Sequence, residues 1–212
     1  MSHDDFAFEP IRGLPELPPE GERILWQGAP NWWALARASM GLNWIAAYFV
    51  VLALWRMSFV AETRPLGAAM IAALPFLVLG GGVIALFCLI AYILARTTVY
   101  TITTRRVAMR IGAALTVTLN LPYRAIARAG LDLRRDGTGT IALDLIGETK
   151  LSYLVCWPHV RPWRMRRTEP ALRCIPDAAR VAALLAEAAD CRVNTPEVGR
   201  HSPVAPVTLA AE

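Results

Sequence analysis

Two stretches of the chain carry no charged residue, while the remaining segments alternate between polar and apolar positions as soluble domains do. The uncharged stretches cover residues 38–55 and 65–95. About 20 apolar residues in a helix are enough to cross the roughly 30 Å of hydrocarbon in a bilayer. We therefore predict an integral membrane protein with two transmembrane helices, at about residues 32–55 and 66–95.

The second uncharged stretch is unusually long for a single crossing. At 1.5 Å per residue it would extend about 46 Å, too long for an upright span and too short for two spans with a turn. We predict one tilted or broken helix, kinked at Pro75 and at the run Gly80 to Gly82. A hairpin at these glycines is the alternative; it would give three crossings and move the following domain to the other side of the membrane.

From residue 96 onward the pattern changes to short segments that predict a small β domain. Residues 115–120 alternate strictly between apolar and polar side chains, and Ile141, Leu143 and Leu145 repeat the two-residue period, which is typical of strands with one face on a core. Residues 99–102 and 107–111 flank a polar turn and predict a hairpin. Apolar side chains over residues 181–188 recur at i, i+3, i+4 and i+7, which predicts a helix.

These patterns predict a membrane protein in which a two-helix transmembrane hairpin is followed by a mainly antiparallel β domain with a C-terminal helix. The predicted division of the chain is an N-terminal segment at residues 1–31, two helices at 32–95, the β domain with its helix at 96–190, and a flexible tail at 191–212. No cleaved signal is expected, because the first apolar stretch follows an acidic segment without a basic start.

Basic residues are concentrated on one side of the predicted hairpin. The short connection between the helices offers only Arg56 and Arg64 beside Glu62, whereas several arginines precede and follow the hairpin. The positive-inside rule then places both termini in the cytoplasm. We expect these residues at the membrane interface: Trp32, Trp33, Arg37, Trp55, Arg96, Arg105 and Arg106. For the last two, a phosphoinositide site is the alternative to general contact with anionic lipid.

The composition and the motifs exclude several function classes. The uncharged stretches also lack histidine, which argues against a proton or ion path through the membrane. The four cysteines form no C-x-x-C pair, and no metalloprotease, phosphate-loop or dinucleotide-binding motif is present. We therefore expect no enzymatic activity, no metal or other cofactor, and no nucleic acid partner.

The most unusual segment covers residues 157–167, with two tryptophans, two prolines, a histidine and four arginines in eleven positions. Tryptophan and arginine are enriched at the energetic centres of protein interfaces. We predict that this loop binds a partner protein through Trp157, His159, Arg161, Trp163, Arg164, Arg166 and Arg167. Two alternatives stay open: contact with anionic lipid headgroups, or packing of both tryptophans on the domain's own sheet.

Several segments carry a resemblance to known proteins. The lead-in from Glu22 to Pro30 (ERILWQGAP), the hairpin, and residues 100–106 (YTITTRR) before a strand resemble the bacterial membrane-anchored pleckstrin-homology-like (PH-like) proteins. Residues 157–164 (WPHVRPWR) followed by residues 172–181 resemble, more narrowly, the photosynthetic complex assembly proteins of purple phototrophic bacteria, the family associated with the reaction-centre H subunit. The likeness covers about residues 8–189.

The broader resemblance implies a PH-like fold, a strongly bent antiparallel sheet closed by a C-terminal helix. The narrower one implies a non-enzymatic assembly factor for the photosynthetic reaction centre and the core light-harvesting complex (light-harvesting 1), located as a multi-pass protein in the bacterial inner (intracytoplasmic) membrane. Its expected partners are reaction-centre subunits, core light-harvesting polypeptides and anionic lipid headgroups, with a homodimer left open. The alternative function is a membrane-anchored PH-like scaffold or anionic-lipid sensor unrelated to photosynthesis.

Overall fold

A computed structural model describes residues 10–113, 116–147 and 151–193, so most of the predicted tail lies outside the described residues. The elements in chain order are β1 (Ile24–Gly28), α1 (Trp32–Ser39), α2 (Leu42–Ala61), α3 (Leu66–Thr97), β2 (Val99–Thr103), β3 (Arg106–Ile111), β4 (Val117–Pro122), a 3-10 turn (Tyr123–Ala125), β5 (Ile126–Leu133), β6 (Gly139–Leu145), α4 (Tyr153–Cys156), β7 (Ala171–Ile175) and α5 (Ala178–Val193).

Within the described residues, α2 and α3 are the two helices long and apolar enough to cross a membrane. Of the most apolar 18 residues of each helix, only 6% are buried in α2 and 11% in α3. A core helix of a soluble protein is, by contrast, mostly buried. Apolar side chains exposed over this length are stable in lipid rather than in water. The two helices therefore indicate membrane association.

The predicted bounds of the first span are corrected by the structure. Instead of one helix over residues 32–55, α1 ends at Ser39 and α2 runs from Leu42 to Ala61. Gly41 between them has a φ of 65°. Glycine adopts this left-handed conformation at little cost, and it stops a helix. As a result Trp55 and Arg56 lie inside the last two turns of α2, and not at its end.

The second uncharged stretch forms one helix, as predicted; α3 is continuous over 32 residues and contains Pro75, so it is not broken at that residue or at the glycines. A helix satisfies its own backbone hydrogen bonds, as a hydrocarbon environment requires even at glycines. Gly80 is buried against α2, where a Cβ atom would lie 2.7 Å from Cβ and Cγ of Phe49. Gly80 therefore serves close helix packing, and the turn that a third crossing needs is not formed.

The described residues of the domain form two antiparallel sheets, one in the order β1-β2-β3-β4 and one in the order β5-β6-β7. Their facing side chains build a single core that includes Ile102, Met109, Leu143 and Leu172. Helix α5 closes this core with the apolar face predicted from the sequence, which includes the buried Val181. The predicted antiparallel β domain with a C-terminal helix is thus confirmed.

Strand β1 precedes the helical hairpin in the chain but pairs with β2, which follows the hairpin. Gln27 lies opposite Thr101, and Gly28 lies opposite Tyr100. The predicted separation of residues 1–31 from the β domain therefore needs correction, because the hairpin is inserted between two neighbouring strands. Paired strands lie on the same side of a membrane. The three-crossing alternative would place these two strands on opposite sides, so the pairing of β1 with β2 does not fit it.

Helix α1 and the last turns of α3 fix the hairpin to the domain. Leu35 and Ala95 pack with Cys174 of β7 in one buried cluster. The side chain of Asn31 caps α1 by accepting a hydrogen bond from the Ala34 N–H at 3.0 Å, and its own N–H donates to the Cys174 carbonyl at 2.8 Å. The domain is therefore attached to the hairpin by direct packing and not only by the chain.

Candidate functional site

The loop predicted to bind a partner, residues 157–167, divides into a buried base and an exposed tip. His159 and Val160 are completely buried, whereas Trp163 is 89% exposed. Trp157, at the start of the loop, is 40% exposed. The structure therefore separates the seven predicted binding residues: His159 belongs to the base, the four arginines and Trp163 belong to the tip, and the partly exposed Trp157 precedes the base.

His159 is held between the first residues after α3. Its Nε2 lies 3.1 Å from Thr98 Oγ1, and its Nδ1 lies 2.6 Å from the Tyr100 hydroxyl. Because the Thr98 hydroxyl donates to the Leu94 carbonyl at 2.7 Å, it accepts from His159 Nε2–H, which leaves Nδ1 to accept from Tyr100. The network thus assigns the neutral tautomer that carries its proton on Nε2.

Burial, together with the positive charge of Arg173, lowers the pKa of His159 from 6.5 to about 3. The ring is therefore neutral at physiological pH, in agreement with the tautomer that the hydrogen bonds require. Its burial also corrects the predicted partner contact, because a fully buried ring presents no surface to another protein. His159 instead fixes the base of the loop to the end of α3.

Arg173, a buried residue of β7, joins the same loop base to α1. Its Nη1 lies 3.4 Å from the carbonyl oxygens of Pro158 and Val160, and its Nη2 lies 3.4 Å from the carbonyl oxygen of Ala38. Ala38 lies at the C-terminal end of α1, where unpaired carbonyls favour a cation. Arg173 therefore places the base of the loop beside the end of α1, close to where α2 begins.

The exposed tip carries four arginines with different surroundings. Arg161 Nη1 lies 3.0 Å from Glu169 Oε2, and Arg164 Nε lies 3.6 Å from Glu169 Oε1. Arg167 lies 3.1 Å from an Asp144 carboxylate oxygen. Arg166 is exposed. The ion pairs fix the shape of the loop, while the guanidinium groups stay at the surface.

Apolar side chains are exposed on the same connection between β6 and β7. Trp163 has a φ of 65° and a largely exposed ring. Leu154, Val155 and Met165 are 84%, 56% and 65% exposed. The alternative in which Trp163 packs on its own sheet is therefore not the observed arrangement. A rigid base with exposed apolar and cationic groups is the composition of a binding surface.

Four of the predicted interface residues surround the junction of the hairpin and the domain. The rings of Trp32 and Trp33 are 5.6 Å apart, edge to face, and Trp32 lies 6.2 Å from Tyr92. Arg96 Nε donates to the Tyr92 hydroxyl at 3.0 Å. Arg37 lies on the exposed face of α1. Such mixed aromatic and basic belts are typical of the headgroup level of a membrane.

The other three predicted interface residues lie elsewhere. Trp55 is 65% exposed on α2, toward the opposite end of the hairpin. Arg105 and Arg106 follow β2, whose five residues place them about 16 Å from the end of α3 at roughly 3.3 Å per residue. Arg106 Nε lies 3.0 Å from Glu22 Oε1. The last two arginines thus attach the N-terminal segment to the sheet, a position that does not favour their predicted membrane contact.

The sequence did not single out Thr98, Tyr100 or Arg173, which hold the loop in place. Their partners are distant in the chain, and no sequence pattern assigned a role to any of the three side chains. Among the described residues no group of three or more histidine, cysteine or acidic side chains could hold a metal ion. Burial raises the pKa of Cys156 and Cys174, which keeps these thiols protonated and unreactive.

An antiparallel β domain closed by a C-terminal helix and attached to a hairpin of two long apolar helices defines a PH-like protein associated with a membrane. Residues 41–189 match the bacterial PH domain family, which covers both the hairpin and the β domain. The chain belongs to this family.

Two further proteins are similar to parts or all of the chain. The "uncharacterized 23.7 kDa protein in puhA 5' region" of Rhodobacter capsulatus is 44% identical over 200 residues, which are 93% of this chain and 94% of that protein. A solved structure from Shewanella loihica PV-4, a DUF1696 family protein with a pleckstrin-homology domain, aligns over 43% of this chain and 71% of that one. That alignment has 12% identity and a TM-score of 0.29.

Proposed function

We propose that the protein is a non-enzymatic membrane assembly factor that binds subunits of the photosynthetic reaction centre and the core light-harvesting complex during their assembly. The similar Rhodobacter capsulatus protein is named after its position in the puhA 5' region, beside a photosynthesis gene. Its similarity extends over nearly the whole of both chains, so the two share the hairpin and the domain. The gene position of this relative supports a photosynthetic complex as the partner that the protein binds.

The observation that carries the proposal is the exposed tip of residues 161–167 on its buried base. Ordering a flexible loop on binding costs conformational entropy, and a loop already fixed through His159 and Arg173 avoids much of that cost. Trp163 at the tip offers a large apolar contact area among arginines. Such residues contribute most of the affinity in protein interfaces.

The proposal places the protein in the bacterial inner (intracytoplasmic) membrane as a multi-pass protein with both termini cytoplasmic. The pairing of β1 with β2 keeps the N-terminal segment and the domain on one side of the hairpin. That side carries Arg37 and Arg96, whereas the connection between α2 and α3 carries Arg64 beside Glu62. The excess of arginine supports the cytoplasmic orientation.

Deletion of the gene in the host bacterium tests the function. The expected result is a loss of reaction-centre and core light-harvesting absorbance in the near infrared, because subunits fail to assemble, with recovery when the gene is restored. Unchanged near-infrared absorbance bands at matched cell density would refute a role in assembling the photosynthetic complexes. A membrane-anchored PH-like scaffold or lipid sensor unrelated to photosynthesis would then be the better description.

Complementation with Trp163→Ala tests the tip itself. Removing a central tryptophan of an interface costs about 2 kcal/mol or more, which weakens binding about 30-fold. Because Trp163 is so exposed, the thermal midpoint of the purified protein should stay unchanged while recovery of reaction-centre subunits in a mild-detergent pull-down falls. Leu17→Ala, which truncates a side chain exposed to 66% elsewhere, is the matched control. Equal recovery with both variants would remove the tip from the interface.

A further inference from the structure

A pocket of about 310 Å³ lies where the domain meets the beginning of α2. It lies between two parts of the chain: α1 with the first turn of α2 on one side, and the turn between β5 and β6 on the other. The polar side chains that line it are Arg37, Asn43, Arg134, Arg135 and Asp136. This pocket is separate from residues 157–167, and the proposed assembly role makes no use of it.

The lining of the pocket is strongly basic. Three arginines face one acidic side chain, Asp136. Arg37 and Arg135 are both exposed, and neither takes part in an ion pair within the described ranges of the chain. Arg37 and Arg135 line the pocket from its two sides, so their guanidinium groups are suited to bind one anion between them. Each guanidinium group can donate parallel hydrogen bonds to phosphate oxygens.

The turn that carries the other two charged groups is internally ordered. Arg134 Nη1 lies 3.2 Å from Cys174 Sγ, and its Nη2 lies 3.3 Å from Thr140 Oγ1. The Asp136 carboxylate accepts hydrogen bonds from the N–H and the hydroxyl of Thr138, at 3.0 and 2.7 Å. Asp136 is therefore engaged within its own turn. The arginines remain the groups that meet a ligand.

We propose that this pocket binds the phosphate headgroup of an anionic phospholipid. Asn43 is the second residue of α2, the first candidate span, and the next residue, Trp44, is 83% exposed. A phosphate in the pocket therefore lies at the end of a span, the level at which headgroups occur. The acyl chains then follow the exposed face of α2. The pocket is large enough for a headgroup and too small for a whole lipid.

The test uses the full-length protein in mild detergent, titrated with phosphatidylglycerol and followed by native mass spectrometry. Phosphatidylcholine with the same acyl chains is the zwitterionic comparison, and glycerol 3-phosphate, a phosphate monoester, is the water-soluble anion for comparison. We expect phosphatidylglycerol to be retained in preference to phosphatidylcholine, and equal concentrations of glycerol 3-phosphate not to displace it.

Substitutions then locate the site. A basic residue at an anionic surface contributes about 1 kcal/mol, so Arg37→Gln and Arg135→Gln should each weaken binding about fivefold, and the double variant about 25-fold. Arg180→Gln removes the same charge from the exposed face of α5, outside the pocket, and should leave binding unchanged. Arg135→Glu, on an exposed turn, provides a second variant with a larger expected loss.

Three results would overturn the proposal. Wild-type affinity in the double variant, with an unchanged thermal midpoint, would show that the pocket does not bind the lipid. An equal loss with Arg180→Gln would show a general charge effect. Displacement by glycerol 3-phosphate would assign the pocket to a soluble anion. None of these results depends on reaction-centre assembly, which the deletion experiment measures separately.

Discussion

Replacing Gly80 by alanine should loosen the contact between α2 and α3, although alanine is the better helix former. A Cβ atom at Gly80 would lie 2.7 Å from both Cβ and Cγ of Phe49. Carbon atoms in ordinary contact are about 3.5 to 4.0 Å apart. The helices must therefore separate, or the Phe49 ring must leave its present position. Gly81, the next residue of the same helix, has nothing within 4 Å of its would-be Cβ apart from its chain neighbours and the backbone of its own helix.

The neighbouring glycine allows the clash to be measured without the contribution of helix propensity. Gly→Ala in a helix interior gains about 1 kcal/mol of propensity at either position. Extra carbon atoms in a well-packed contact cost about 1 to 3 kcal/mol. We therefore expect Gly80→Ala to be about 1 to 3 kcal/mol less stable than Gly81→Ala, and Gly81→Ala to be at least as stable as the wild type.

Thermal unfolding of the full-length protein in a single detergent, followed by circular dichroism, makes the comparison. Phe49→Ala in the Gly80→Ala background should recover part of the loss, because it removes the atoms that the new methyl group meets. Equal midpoints for Gly80→Ala and Gly81→Ala, or a more stable Gly80→Ala, would contradict the packing described for the hairpin.

Two other predictions concern the domain. Because the pKa of His159 is about 3 in the folded protein and 6.5 in the unfolded chain, the unfolded chain binds the proton first as the pH falls. The free energy of unfolding should therefore decrease below pH 6.5, by about 3 kcal/mol at pH 4.5. Chemical denaturation at pH 7 and at pH 4.5 measures this difference, and His159→Gln should remove the part of it that His159 contributes. If the variant and the wild type lose the same free energy of unfolding between the two pH values, the burial of His159 is contradicted. Glu22→Gln weakens the ion pair with Arg106 and should cost about 1 to 3 kcal/mol. In the Glu22→Gln variant, trypsin should cleave faster within residues 10–23, because the N-terminal segment is held less firmly to the sheet. A cleavage rate equal to that of the wild type would argue against the contact between Glu22 and Arg106.

Local periodicity predicted the elements whose partners lie nearby in the chain. The hairpin of β2 and β3, the strand β6 and the helix α5 all follow from alternation or from a 3.6-residue repeat, and the structure confirms them. Each of these patterns records which face of one element is buried. The two long apolar helices followed from composition alone, because a bilayer fixes the length of an apolar stretch.

Interactions between distant segments were not predicted. The lead-in residues 24–28 show no clear alternation, and they form a strand because β2 supplies the neighbouring hydrogen bonds. The break at Gly41 lies inside a long uncharged stretch, where composition gives no signal for a left-handed residue. The burial of His159 depends on Thr98 and Tyr100, about 60 positions earlier in the sequence. A histidine in a basic loop gives no indication of such partners.

The pairing of β1 with β2 has a consequence for biosynthesis. The ribosome completes β1 first and must then make the whole of residues 29–98 before the adjoining strand exists. If only one helix were inserted, the two strands would be left in separate compartments and the first sheet would stay open. In the proposed topology with two inserted helices, the complete β domain can therefore form only after both helices are inserted, and a half-inserted chain would present an unpaired strand edge that a protease or chaperone can recognise.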